Sequence, residues 1–306
     1  MHHHEASHRL SPKITAVVVC HNEAHHMQAC LERLTWVDEL LVVDLASTDD
    51  SAAIAHRFAH RVITQGHSPI VEPVRCTAAR MAKHDWLLFV DPDERYPDSL
   101  IDDVRVALAC DAQPDHRDAG IIELPMHYYF KRRRLRCTAW GKPVHYRPAL
   151  VNRQRCDIRP LICRGFELRE GFRRTRVDGH ATSDNCIVHY WIDSYRELFS
   201  KHVRYVAREG YAQWLDGKRF GFRAAVTSPA IEFKRNLIDR AGLQGGPRGV
   251  ILSVVYSLYH AVAAWMLLYH RIRRGPATAF DSTRAQPADA NIAINSPQAP
   301  STRHAA

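Results

Sequence analysis

None of the eight cysteines, at positions 20, 30, 76, 110, 137, 156, 163 and 186, stands in a Cys-x-x-Cys pair, which argues against a zinc ribbon. Their irregular spacing over 306 residues also argues against a disulfide scaffold, a device of small secreted domains. Reduced thiols in a cytoplasmic protein are the simpler expectation. Met1 to Lys13 has no apolar run of the kind a secretory signal needs, and residues 1–13 are expected to be disordered. No nucleic-acid recognition motif is present, and lysine and arginine are spread along the chain, so the net charge of +9 is not read as a nucleic-acid signature. It favours other anionic partners, such as nucleotide sugars or an acidic membrane surface.

Charge of either sign is missing from Val250 to Tyr269. Twenty residues reach the length of a membrane span, but Ser253, Tyr256, Ser257, Tyr259 and His260 dilute the run, and Arg248 and Arg271 to Arg274 flank it. Basic ends and interfacial aromatics suit a helix lying in a membrane surface. A full span and a buried core helix are the alternatives, and peripheral attachment to the inner face of the cell membrane is the favoured expectation. Residues 216–274 thus read as a basic, apolar helical extension. Beyond Gly275 the chain is rich in Pro, Ala, Ser, Asn and Gln, so residues 275–306 are expected to be disordered.

Ile14 to Cys20 and Glu39 to Asp44 are β-branched apolar runs, as expected of strands buried on both faces. Arg61 to Thr64 and Asp85 to Asp91 complete a set of four, with helices expected near 24–34, 50–59 and 74–83 between them. The alternation implies a mostly parallel sheet with helices on both faces and right-handed crossovers. From Gly120 the pattern turns more mixed, with strands at 121–125 and 128–130, a basic run Lys131–Arg136, and a helix over 194–215. The expected organisation is one α/β domain over 14–215, in two halves, 14–110 and 111–215.

The apolar run Trp86 to Val90 ends in Asp91-Pro92-Asp93-Glu94. Two carboxylates one residue apart, just past a buried strand, can hold a hard divalent cation against substrate phosphates, at the edge where open α/β sheets bind ligands. Three ordered segments carry a resemblance: Val17-Val18-Val19-Cys20-His21-Asn22-Glu23, Val42-Val43-Asp44-Leu45-Ala46-Ser47-Thr48-Asp49, and Asp85-Trp86 leading to Asp91-Pro92-Asp93-Glu94. Together they resemble family 2 glycosyltransferases of the GT-A fold, and within these the enzymes that build the lipopolysaccharide core. His189-Tyr190, Ser194, Lys201 and Arg204-Tyr205 extend the resemblance, as does Phe233 to Gly249.

The resemblance implies a metal-dependent, inverting transfer of sugar from a nucleoside-diphosphate donor to a saccharide or lipid-linked acceptor. Asp91, Asp93 and His189 would hold Mg²⁺ or Mn²⁺. Asn22, Glu23, Asp44 and Arg75 would bind the donor. Inverting transfer needs a base for the acceptor hydroxyl, and Glu167 is the nearest counterpart of the family's His-Glu pair, with Glu170 and Asp178 as alternatives. Cys76 replaces an asparagine, Ala46 replaces a common glycine, and the arginine expected near Ala149 to Val151 is absent. These departures motivate the alternative of a degenerate relative that binds nucleotide or glycan without transferring.

Overall fold

The computed structural model describes residues 12–68, 70–113, 118–160, 165–179, 184–275 and 292–293. The expectations for residues 1–11 and for most of the tail lie outside these, as does Cys163. The other seven cysteines are free thiols.

Strand β1 (Ile14–Cys20) is buried along its whole length, as its unbroken apolar run requires. It pairs in parallel with β2 (Glu39–Asp44) on one side and with β4 (Trp86–Val90) on the other, and β2 pairs in parallel with β3 (Arg61–Gln65). Helices α1 (Ala24–Leu31), α2 (Ser51–Phe58) and α3 (Glu72–Met81) make the crossovers. Strand alternation sends Val18, Val42 and Val90 to the layer formed by α1, α2 and α4 (Asp98–Asp111), while Val17, Val43 and Phe89 meet α3. This half matches the expected parallel α/β order.

The second half makes the sheet mixed rather than mostly parallel. The order across it runs Ile292–Ala293, β3, β2, β1, β4, β8 (His145–Asn152), β6 (Ala119–Phe130), β12 (Ile187–Ile192) and β5 (Glu94–Arg95). Strand β8 lies antiparallel to both β4 and β6. Strands β7 (Arg133–Arg134) and β11 (Arg173–Arg176) also pair with β6, and β9 (Cys156–Ile158) and β10 (Phe166–Leu168) form a separate hairpin. The two strands expected at 121–125 and 128–130 are one twelve-residue strand, because Pro125 takes a place in the ladder opposite Tyr146. Within the tail expected to lack structure, Ile292–Ala293 adds to the free edge of β3.

The C-terminal layer is helical: α5 (Tyr195–Leu215), α6 (Phe222–Lys234) and α7 (Gly246–Arg274). Ser194 caps α5 by accepting from the Glu197 N–H at 3.1 Å, and Glu197 returns the favour to the Asp193 N–H at 2.8 Å. Helix α7 contains the whole uncharged run. It does not simply project from the domain: Leu252 and Val255 are buried with Phe130, Ile192 and Leu198. Gly210 permits the closest approach of α5 and α7, since a Cβ there would meet Met266 Cβ at 2.4 Å.

Candidate active site

Asp91 follows β4 at the carboxyl edge of the sheet, and Glu94 opens the short strand that pairs with β12 beside His189. This pairing brings residues almost a hundred positions apart together. One ligand atom each from Asp91, Asp93 and His189 lies within 4.8 Å of the other two. Asp93 faces His189 Nε2 at 3.2 Å and Lys201 Nζ at 3.9 Å. Its backbone carbonyl accepts from the Tyr190 N–H at 2.8 Å. Asp91 pairs with Arg75 and faces Arg147 at 3.5 Å.

Burial works to raise both aspartates, but the cations prevail. Arg75 and Arg147 hold Asp91 well below the usual carboxylate range, and His189 and Lys201 hold Asp93 below it. Burial alone would lower His189, yet Asp93 raises it. Asp93 Oδ1 and His189 Nδ1 are buried without a protein partner. The donor set of two carboxylates and an imidazole, with one carboxylate oxygen orphaned, fits a divalent cation.

Asn22 takes a left-handed φ of 56°, which asparagine tolerates, and its Oδ1 accepts from the Thr48 N–H at 2.7 Å. The Glu23 N–H donates to Ser51 Oγ at 2.8 Å, and the Ala24 N–H to Asp49 at 3.0 Å. The loops after β1 and β2 are thereby zipped together. Ala46, where the family often has glycine, adopts φ 53°; a glycine would hold that conformation without the Cβ clash. Burial, with Asp93 close by, pushes the Glu23 carboxyl up to about 8.

Asp44 lies at the same sheet edge but is turned toward Cys20, 3.7 Å away, on the α1 and α2 face, and accepts from the Ser47 N–H at 3.2 Å. Asp91 is on the α3 side with Arg75. Asp44 and Asp91 therefore share an edge without sharing a contact. Arg75, expected to bind the donor, pairs with Asp91. Glu167 is exposed and ion-paired to Arg159. Its neighbour Phe166 stacks on Phe89 at 5.3 Å, and the Arg75 guanidinium lies 5.9 Å from the same ring. The hairpin thus borders the site, while alternation turns Glu167 outward.

Sequence reading missed Arg147, which stands a little before the place where an arginine was expected and binds the buried Glu94 as well as facing Asp91. Arg147 is the one Lys, Arg, Asp or Glu in β8, and that was the available signal. Lys201 was quoted as part of a pattern without a role. Arg132, from the basic run, lies over the Tyr190 ring at 4.9 Å and faces Asp193 at 3.5 Å, so part of that run is internally paired.

Residues 15–148 match the family described as Glycosyl transferase family 2. A Rickettsia felis protein named as an uncharacterized glycosyltransferase is 32% identical over 116 residues, 38% of this chain and 41% of that one. A similarly named Rickettsia conorii protein is 29% identical over 119 residues, 39% of this chain and 42% of that one. The chain thus spans about two fifths of the length of the curated relatives it matches. Among solved structures, a mannosyltransferase from Pyrobaculum calidifontis in complex with GDP-Man and Mn²⁺ superposes with a TM-score of 0.50 at 15% identity, covering 85% of this chain and 88% of that one. At that identity the likeness speaks for the fold, a GT-A glycosyltransferase architecture.

Proposed function

We propose, from the match of residues 15–148 to Glycosyl transferase family 2, that the protein transfers a sugar from a nucleoside-diphosphate donor to a saccharide or lipid-linked acceptor, with inversion and with a divalent metal. The observation that carries this reading is the cluster of Asp91, Asp93 and His189, with Asp93 Oδ1 buried and unpartnered. Mg²⁺ or Mn²⁺ held there would offset the charge that develops on the departing diphosphate.

The chain's own residues prepare that site. Arg75 and Arg147 keep Asp91 ionised, and His189 and Lys201 do the same for Asp93. Lys201, on the capped helix α5, adds a fixed positive charge beside the carboxylate pair. The nucleoside would lie on the zipped loops, over Asn22, Glu23 and Asp44. Glu167 is the proposed base. It would act on an acceptor reaching the outer face of the β9–β10 hairpin, once freed from Arg159. Cell-envelope glycan synthesis, lipopolysaccharide core assembly in particular, and a position on the inner face of the membrane belong to the same proposal. They are supported by the sequence resemblance and by the apolar surface of α7.

The test is calorimetric titration with UDP- and GDP-sugars, with and without Mn²⁺. Wild type should bind at least one donor only when the metal is present, and Asp93→Asn should weaken that binding by at least about a hundredfold, since even ligand-orienting residues carry tenfold or more. Equal binding by wild type and Asp93→Asn in Mn²⁺ would sink the metal site. Metal-dependent donor binding with no turnover on any acceptor would favour the binding-only relative. Full turnover by Glu167→Gln would move the base elsewhere.

A further inference from the structure

We propose that α6 and α7 together form a flat docking face for an anionic lipid surface, with both helices lying in its plane. This rests on the membrane position included above and adds a second helix and an orientation.

Helix α7 is long and apolar enough to cross a membrane by length and composition, but its two sides differ. Leu252, Val255, Ala263 and Leu267 are buried on the domain side. Val254, Leu258, Trp265 and Tyr269 recur at helical spacing on the other side and stand exposed, Leu258 at 57% and Trp265 at 45%. A spanning helix would have to abandon the buried stripe. Helix α6 continues the exposed surface: Ala225 turns inward, while Phe222, at 68%, and Val226 face out. The helices are tied together where Ser257 Oγ donates to the Pro229 carbonyl. The Phe220 and Phe222 rings both approach Trp265, at 5.8 and 6.3 Å. An apolar surface of this extent on a water-soluble domain marks an interaction site.

The occupant follows from charge. Residues 216–275 carry ten Lys and Arg against three Asp and Glu, a net +7 within a chain of net +9. Residues 131–176 carry a larger excess, fifteen Lys and Arg against three Asp and Glu, but Arg147, Arg153, Arg155, Arg169, Arg173, Arg174 and Arg176 there are ion-paired to Glu94, Asp85, Asp111, Asp157, Asp118 and Glu123. Arg219 and Arg223 flank the aromatic trio, Arg273 and Arg274 follow it on α7, and all four are exposed. Arg271 ties the end of α7 to the Lys218 carbonyl at 3.2 Å. Aromatic rings at the level of a basic collar, around an aliphatic stripe, match a bilayer interface bearing negative headgroups. A second copy of this chain would bring the same positive charge against itself.

The full chain should sediment with vesicles of phosphatidylcholine and phosphatidylglycerol in equal parts, and much less with phosphatidylcholine alone. The double variant Phe222→Ser/Trp265→Ser alters exposed rings only and should lower partitioning by about tenfold or more at unchanged melting temperature. Arg219→Glu/Arg223→Glu should remove most of the preference for anionic vesicles. Wild-type failure to sediment, or unchanged partitioning of the aromatic variant, would overturn the proposal. So would a wild-type dimer in sedimentation velocity that the aromatic variant dissociates without any vesicle binding. Metal-dependent donor binding measured on the same variants should match wild type. Its absence from every one of them would count against the catalytic reading and leave the docking result standing.

Discussion

Arg147→Ala probes the electrostatic frame of the site. Glu94 is wholly inaccessible, at 0%, and its carboxylate is paired to the Arg147 guanidinium. Its other donors are the Asp91 N–H at 3.3 Å and the Tyr96 hydroxyl at 3.4 Å, both long. Removing one member of a buried pair costs about 3–5 kcal/mol. Glu94 can shed its charge by taking up a proton, so the lower end applies, about 3 kcal/mol near neutral pH. That corresponds to a fall in Tm of roughly 6–12 °C. The pH dependence has a definite sign. Burial raises the Glu94 carboxyl above its ordinary value even with Arg147 beside it, and without Arg147 it rises further. A carboxyl whose folded pKa exceeds its unfolded one costs stability as pH climbs past the unfolded value. The gap between wild type and Arg147→Ala should therefore widen as pH climbs above the ordinary glutamate range. Thermal and urea unfolding followed by circular dichroism would measure it. In the Glu94→Gln background the gap should shrink by at least about 1 kcal/mol and lose its pH dependence. A cost below about 1 kcal/mol, strict additivity of the two changes, or a gap that narrows as pH rises would refute the reasoning.

Glu39 is a second buried carboxylate, accepting from Thr15 Oγ1 at 2.8 Å, the Lys83 N–H at 2.7 Å and Arg61 at 3.1 Å. Burial opposes its ionisation, but these donors prevail and depress it. Its contribution is present at neutral pH and should fade as pH falls below the ordinary glutamate range; Glu39→Ala should cost about 3–5 kcal/mol at pH 7 and less in acid, as urea titrations at several pH values would show. Gly210→Ala should cost about 1–3 kcal/mol by overpacking against Met266, and limited proteolysis should cut α7 faster in that variant than in wild type.

The parallel half of the fold was legible because its strands are buried on both faces and neighbour one another closely in sequence. Ile14 to Cys20 and Trp86 to Val90 could hardly be anything else. The mixed half was not legible, because β8 enters between β4 and β6 from far along the chain, and Pro125 looked like a strand end. Asp91 and Asp93 were visible as a pair, and His189 as their partner. The roles of Arg75 and Arg147 were not, since whether an arginine meets a phosphate or a carboxylate depends on what the fold brings opposite it. Asp44 was correctly set at the sheet edge, but the side of the sheet it faces depends on strand alternation carried to the last residue. Glu167 lies outside the contact network because Phe166, one position earlier, takes the inward place.

The close crossing at Gly210 sets a reach. Lys201 and Gly210 lie nine residues apart on one helix, about 13 Å along its axis. With α5 contributing no side chain at the crossing, α7 adds only one further helix diameter, about 10 Å. Lys201, and Asp93 beside it, are then within roughly 25 Å of any surface on which α7 rests. An acceptor hydroxyl must come that close to the surface to react. The base of a surface-anchored glycan satisfies this, whereas the far end of a long polymer would have to fold back. Chain length of the product would then be limited by geometry, without any residue that counts sugars.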